Sequence, residues 1–123
     1  MTDSFDLVLR GGTCVTPKGV LPGDVGVRDG KIAAIGDLGS KKAATTIDAT
    51  HLHVLPGVID GHVHFREPGL EHKEDIETGS RAAVKGGVTT VFEMPNTKPA
   101  TVDAASLADK VARTKNRAWC DIA

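Results

Sequence analysis

Tyrosine is absent from this chain, tryptophan occurs once and aromatic residues make up 3% of it. A ring-rich core is therefore excluded, and the apolar interior must come from Val, Ile, Leu and Ala. Cysteine is scarce as well. Cys14 and Cys120 stand far apart with no Cys-x-x-Cys spacing, which leaves no support for a disulfide framework or a thiolate metal site; both are read as buried, reduced, small hydrophobes. No excess of one charge is present, the formal net charge being -1, and this speaks against a nucleic-acid or anionic-membrane surface. Small molecules or other proteins are left as partners. No apolar run nears the roughly 18 residues of a membrane span, and no basic segment followed by an apolar one opens the chain, so the expected location is cytoplasmic. Phosphate-cradling glycine loops, a Gly-x-Ser-x-Gly nucleophile elbow, repeats and low-complexity tracts are missing too.

What is present is a chain of 123 residues, 40% hydrophobic and 25% charged, enough for one ordinary domain and too short for a large enzyme fold. Residues 1–55 read as short strands and turns. Residues 5–10 alternate apolar and polar side chains, Gly11 and Gly12 are expected to turn the chain, and residues 13–16 return. Residues 17–23, with two prolines and two glycines, read as loop. Residues 24–28 and 31–35 flank Asp29-Gly30, a two-residue hairpin signal in which both central residues tolerate positive φ. Short strands at 45–48 and 51–55 complete an all-β lobe.

After Pro56-Gly57 the pattern changes. Residues 58–62 form a near-continuous apolar strand of the parallel type covered on both faces. A loop at 65–73 leads to a helix at 75–85, stopped by Gly86 and Gly87. A β-branched strand at 88–92 and a proline-bounded loop at 94–99 follow. A second helix from 102 or 103 to 113 carries Ala104, Leu107, Ala108 and Val111 as its apolar stripe, and a third strand begins at 119–122. This βαβαβ order implies right-handed crossovers and a parallel sheet. Three such strands leave edges unpaired. The fold expected is α/β: the start of a (β/α)8 TIM-type barrel preceded by a small β-rich lobe, truncated after about two βα units. Residues 1–55 form the lobe and 56–123 the incomplete barrel.

The chemistry concentrates in residues 55–69, Leu-Pro-Gly-Val-Ile-Asp-Gly-His-Val-His-Phe-Arg-Glu-Pro-Gly. A strand sends alternate side chains to one face, so Asp60, His62, His64 and Arg66 are expected to project together. Two neutral imidazoles at the end of a barrel strand suit a divalent metal, with zinc–nitrogen distances of about 2.0 to 2.1 Å. His51-Leu52-His53 repeats the His-x-His pattern, but lies in the β-rich lobe without a polar loop after it and is read as structural or surface. His72, in a charged loop, is read as solvated. Arg66 follows the histidines at the same period, and its planar fork suits a carboxylate. Asn96, after the second strand, falls on the same rim, where its amide could donate to that carboxylate. Glu93 and Lys98 lie nearby without an assigned role, and Lys85 belongs to a helix C-terminus.

Residues 56–69, with Glu77-Thr-Gly-Ser-Arg-Ala-Ala-Val-Lys-Gly-Gly-Val-Thr-Thr90 and Met94-Pro-Asn-Thr-Lys-Pro99, closely resemble the amino-terminal third of a class I dihydroorotase of the amidohydrolase superfamily. The resemblance implies a barrel with one or two zinc ions, a small β-sandwich lobe built from both chain ends, and interconversion of N-carbamoyl-L-aspartate and L-dihydroorotate in pyrimidine biosynthesis. By position, His62 and His64 match the metal-binding pair, and Arg66 and Asn96 match residues that hold the substrate carboxylate. The remaining metal ligands and the proton-handling aspartate of the family lie on later strands, so no catalytic residue is assigned here and the 123 residues alone are expected to be inactive. The resemblance leaves room for a homo-oligomer or a transcarbamoylase partner. Allantoinase and dihydropyrimidinase are the nearest competitors; the Phe65-Arg66 pair and the Met-Pro-Asn-Thr motif weigh toward a ring carboxylate, which their substrates lack. A non-catalytic, metal-free subunit is the competitor of another class, and the retention of both His62 and His64 weighs against it.

Overall fold

The computed structural model describes residues 4–123; the reading of residues 1–3 as part of a start without a signal sequence lies outside the described residues. Two compact units divide the chain, Met1–Pro56 and Gly57–Ala123. The architecture is mixed α/β, an all-β unit followed by a βαβαβ unit. No helix among the described residues is long and apolar enough to cross a membrane.

The first unit holds strands β1 (Phe5–Thr16), β2 (Gly19–Arg28), β3 (Lys31–Gly36), β4 (Ala43–Asp48) and β5 (His53–Val54). They form one connected sheet in the order β3-β2-β1-β4, with β5 also on β1. β1 runs antiparallel to β2 and parallel to β4 and β5. Phe5, Val8 and Leu38 form a buried cluster, with Ala34 and Ala43 packed against it. The hairpin at Asp29-Gly30 is present: Arg28 pairs with Lys31, and the two turn residues have φ of 51° and 69°, the left-handed pair that matches strand twist.

Gly11 and Gly12 do not turn the chain. β1 runs through them as one strand with a register shift between Leu9 and Gly12 and Gly11 at φ 71°, which is a bulge. The Asp24 carboxylate accepts from the Gly11 N–H at 2.9 Å and from Arg10 Nη1 at 3.0 Å, so the backbone donor at the bulge stays satisfied. Residues 19–23 are likewise strand, and the expected loop shrinks to Pro17 and Lys18. β3 pairs with β2 only from Asp24 onward, so β2 is an edge at Pro22, where proline is tolerated.

The second unit comprises β6 (Val58–Val63), α1 (Ile76–Lys85), β7 (Val88–Glu93), α2 (Ala104–Thr114) and β8 (Asp121–Ile122), with the three strands parallel in the order β6-β7-β8. Asp75 caps α1 by accepting from the Thr78 N–H at 2.8 Å, and Gly86 ends it. Asp103 and Ser106 form a capping box at the start of α2. Phe65, Ile76 and Val91 make the core, bordered by Val63, Ala83, Val88, Ala118, Cys120 and Ile122. A barrel is not closed by these residues.

Two packing expectations are corrected. Ile59 of β6 is 64% exposed and no element among the described residues covers it. The stripe on α2 is also open, with Leu107 54% and Val111 59% exposed, while Lys110 is buried at 7%. Lys110 can be buried because its methylene stem packs as a hydrophobe while Nζ donates to the Glu93 carboxylate and, at 3.1 Å, to the Met94 carbonyl. Cys14 is buried and Cys120 partly so, both as free thiols; burial and then the charge of Asp121 push the Cys120 thiol up, away from a reactive thiolate.

Candidate functional site

β6 ends at Val63, which puts His62 in its last turn of pleat and His64 just beyond it. The rings converge: Nε2 of His62 lies 3.2 Å from Nε2 of His64, with ring centroids 5.0 Å apart at 67°. The His62 N–H donates to Asp60 Oδ1 at 3.1 Å, so Asp60 braces the backbone at His62. Nδ1 of His64 lies 2.8 Å from Asn96 Oδ1. Arg66 breaks the two-residue period. It sits at φ 68°, outside the strand, and its guanidinium makes no hydrogen bond or ion pair among the described residues.

The loops that carry these side chains are tied together. The Met94 N–H donates to the Val63 carbonyl and the Lys98 N–H to the Pro68 carbonyl, each at 2.9 Å. The Phe65 N–H donates to Glu93 Oε1 at 3.2 Å, while Glu93 Oε2 receives Lys110. Glu93 thus joins the end of β6 to α2 through one buried carboxylate. Gly69, at φ 89°, lies so close to Lys98 that a Cβ would run into the Lys98 carbonyl oxygen, and only glycine permits this approach.

Glu67 is the second buried carboxylate of the region, at 3% exposure. Arg117 holds it in a two-pronged pair at 2.7 and 3.0 Å, and the Ile76 N–H donates to it at 3.1 Å. Burial pushes the Glu67 carboxyl up, but the Arg117 hydrogen bond, the Ile76 N–H and Arg113 outweigh it and hold the group below its ordinary value. The loop between β6 and α1 is therefore anchored to the start of α1 and to Arg117. Glu67, Glu93 and Lys110 were not assigned from sequence, since an acidic residue beside a proline and a lysine on a helix read as surface; a polar residue closing an apolar strand, as Glu93 does, is the one available hint.

The donor set has the spacing zinc requires. Two nitrogens at about 2.05 Å from a tetrahedral ion stand about 3.3 Å apart, close to the 3.2 Å between the two Nε2 atoms. The acceptor on His64 Nδ1 is the outer partner that metal-bound histidines commonly have. The pair fits as part of a ligand set; no group of three or more metal-capable side chains occurs among the described residues. His51, at φ 65°, and His53 are exposed and make no ring contact with each other. His72 is exposed.

Two imidazoles that converge at the end of the first strand of a parallel βαβαβ unit form a face suited to a metal-dependent hydrolase, and the family comparison supports the hydrolase class. Residues 52–122 match the family model described as dihydro-orotase-like, and the chain belongs to that family, within the amidohydrolase superfamily. More particularly, it is 49% identical over 122 residues to an allantoinase from Escherichia coli O1:K1, an alignment covering 98% of this chain and 26% of that protein. Among solved structures, it is similar to an L-hydantoinase (dihydropyrimidinase) from Arthrobacter aurescens, with TM-score 0.90 and 36% identity over 97% of this chain and 27% of that one. It is also similar to an N-acyl-D-glutamate deacylase from Bordetella bronchiseptica, solved with zinc and a phosphonate inhibitor, with TM-score 0.70 and 28% identity over 98% of this chain and 29% of that one. The chain spans about a quarter of the length of these relatives.

These findings correct the expectation of a dihydroorotase of pyrimidine biosynthesis: the named relatives are an allantoinase and a hydantoinase. The structure shows why the motif argument misled. Phe65, weighed as a specificity residue, is 7% exposed and packs with Ile76 and Val91 in the core, so it reports folding and not substrate. Asn96 Oδ1 is engaged with His64, which gives Asn96 a partner within the fold that the motif argument did not include.

Proposed function

We propose that the chain is the amino-terminal part of a metal-dependent cyclic amidohydrolase that opens a hydantoin-type ring, allantoin included. The observation that carries this reading is the approach of the His62 and His64 Nε2 atoms to 3.2 Å at the end of β6; the allantoinase and hydantoinase relatives supply the substrate class. His62 and His64 would hold zinc through Nε2. When bound, such an ion polarises a carbonyl and lowers the pKa of water. Asp60 holds the backbone N–H of His62, and the backbone ties between residues 63–68 and 93–98 fix the rim on which His64 sits. Ring opening at a cyclic amide C–N bond creates a carboxylate. Arg66, whose guanidinium is uncommitted, is suited to receive it with two parallel N–H donors.

The test replaces the matching quarter of the Escherichia coli allantoinase with this chain and follows ring opening of allantoin and hydantoin by formation of the carbamoyl product. The expected outcome is zinc-dependent opening of one or both rings, lost when His62 and His64 are both changed to Asn. A folded, zinc-loaded chimera that opens neither ring overturns the reading. The 123 residues alone, with only two of the ligands, are expected to show no turnover.

A further inference from the structure

We propose that Asn96 is a positioning residue that locks His64 in its Nδ1–H tautomer and so presents Nε2 to the metal as a lone pair; this rests on the metal reading above. The Asn96 amide oxygen, 2.8 Å from His64 Nδ1, can only accept. The proton must then be on Nδ1, and a neutral imidazole with Nδ1–H has its acceptor at Nε2. That acceptor is the atom which approaches Nε2 of His62.

The contact is built into the rim. The Thr97 and Thr101 N–H groups both donate to the Pro95 carbonyl at 2.9 Å, and the Thr97 hydroxyl donates to the Pro99 carbonyl at 2.9 Å. Lys98 N–H reaches across to Pro68 and Met94 N–H to Val63. Backbone ties on both sides of Asn96 therefore meet the two sides of His64, and the side-chain pair closes the gap between them. Asn96 therefore acts through His64, as a residue behind a metal ligand.

Two readouts test it on the 123-residue chain. Long-range proton–nitrogen correlation of the metal-free, 15N-labelled protein reads the tautomer, with His64 identified by the signals lost in His64→Gln. Zinc affinity is read by competition with a chromophoric chelator. The native chain is expected to show Nδ1–H at His64; Asn96→Ala should shift it to Nε2–H and weaken zinc about 10-fold or more. Asn96→Asp keeps an acceptor and should restore both the tautomer and the affinity. Nε2–H in the native chain, or an Asn96→Ala protein with unchanged tautomer and unchanged affinity, overturns the proposal. If the tautomer follows Asn96 in the native chain but the complete allantoinase chimera carrying it does not bind zinc, the lock stands and the metal reading falls.

Discussion

The chain contains the pattern His-x-His twice, and the two copies behave differently. His62 and His64 close a strand, and their rings meet at 3.2 Å. His51 sits in a turn at φ 65° and His53 opens a two-residue strand, so the backbone does not carry both side chains to one face. Spacing alone thus supplies two imidazoles; the extended backbone through Val63 and the acceptor on Asn96 supply their convergence. The largest expected effect breaks this comparison directly. Changing His62 and His64 together to Ala should abolish measurable zinc binding in chelator competition, and the same change at His51 and His53 should leave affinity within about twofold, since a site needs converging ligands. Equal losses in both proteins would remove the distinction.

Part of this was legible in the sequence because its signals are local. The Asp29-Gly30 hairpin, the glycine stop after α1 and the βαβαβ order follow from residues within a few positions of one another. What was illegible depends on partners far along the chain. Gly11 reads as a turn until Asp24 accepts its N–H. Nothing near Lys110 in the sequence marks it for burial; Glu93, which lies beside it, does so only in the fold. Phe65 reads as a specificity residue until α1 packs on it, the ring lying where a side chain at Gly79 would be. Arg66 reads as continuing the two-residue period of the histidines until its left-handed φ is seen, a conformation no neighbouring residue announces. The histidine pair was legible and its geometry was not.

The next effect concerns what holds the converging pair in place. Gly69→Ala puts a Cβ against the Lys98 carbonyl in a backbone of φ 89°, combining left-handed strain with overpacking, and should destabilise the second unit by about 2 to 4 kcal/mol. Gly39, at φ 51° with nothing within 4 Å of a Cβ, is the matched control in the first unit; its alanine variant should lose about 1 kcal/mol. Trp119 is the only tryptophan and lies in the second unit, so its fluorescence in urea follows that unit. Zinc affinity should fall with Gly69→Ala and hold with Gly39→Ala. A Gly69→Ala protein that keeps both its urea midpoint and its zinc would show that the close approach of the two loops does not support the histidines.

The last of these effects is pH-dependent and resides in Glu67. Its carboxyl is held below the ordinary 4.5 when folded, so the unfolded chain binds the proton more tightly and stability rises with pH across that window. The contribution is complete above the unfolded value and disappears as the pH falls from 4.5 through the lower folded value. Glu67→Gln removes it and leaves Arg117, Arg113 and the Ile76 N–H with a weaker acceptor. The loss at neutral pH should be about 2 kcal/mol, less than for a fully enclosed pair because the Arg117 side chain is 36% exposed. Urea midpoints followed by Trp119 should converge for the native and Glu67→Gln proteins between pH 7 and pH 3, since the native protein loses at low pH what the variant never had. Parallel curves over that range would mean that Glu67 anchors the loop by shape alone, and that the rim carrying His64 is held by its backbone ties without help from charge.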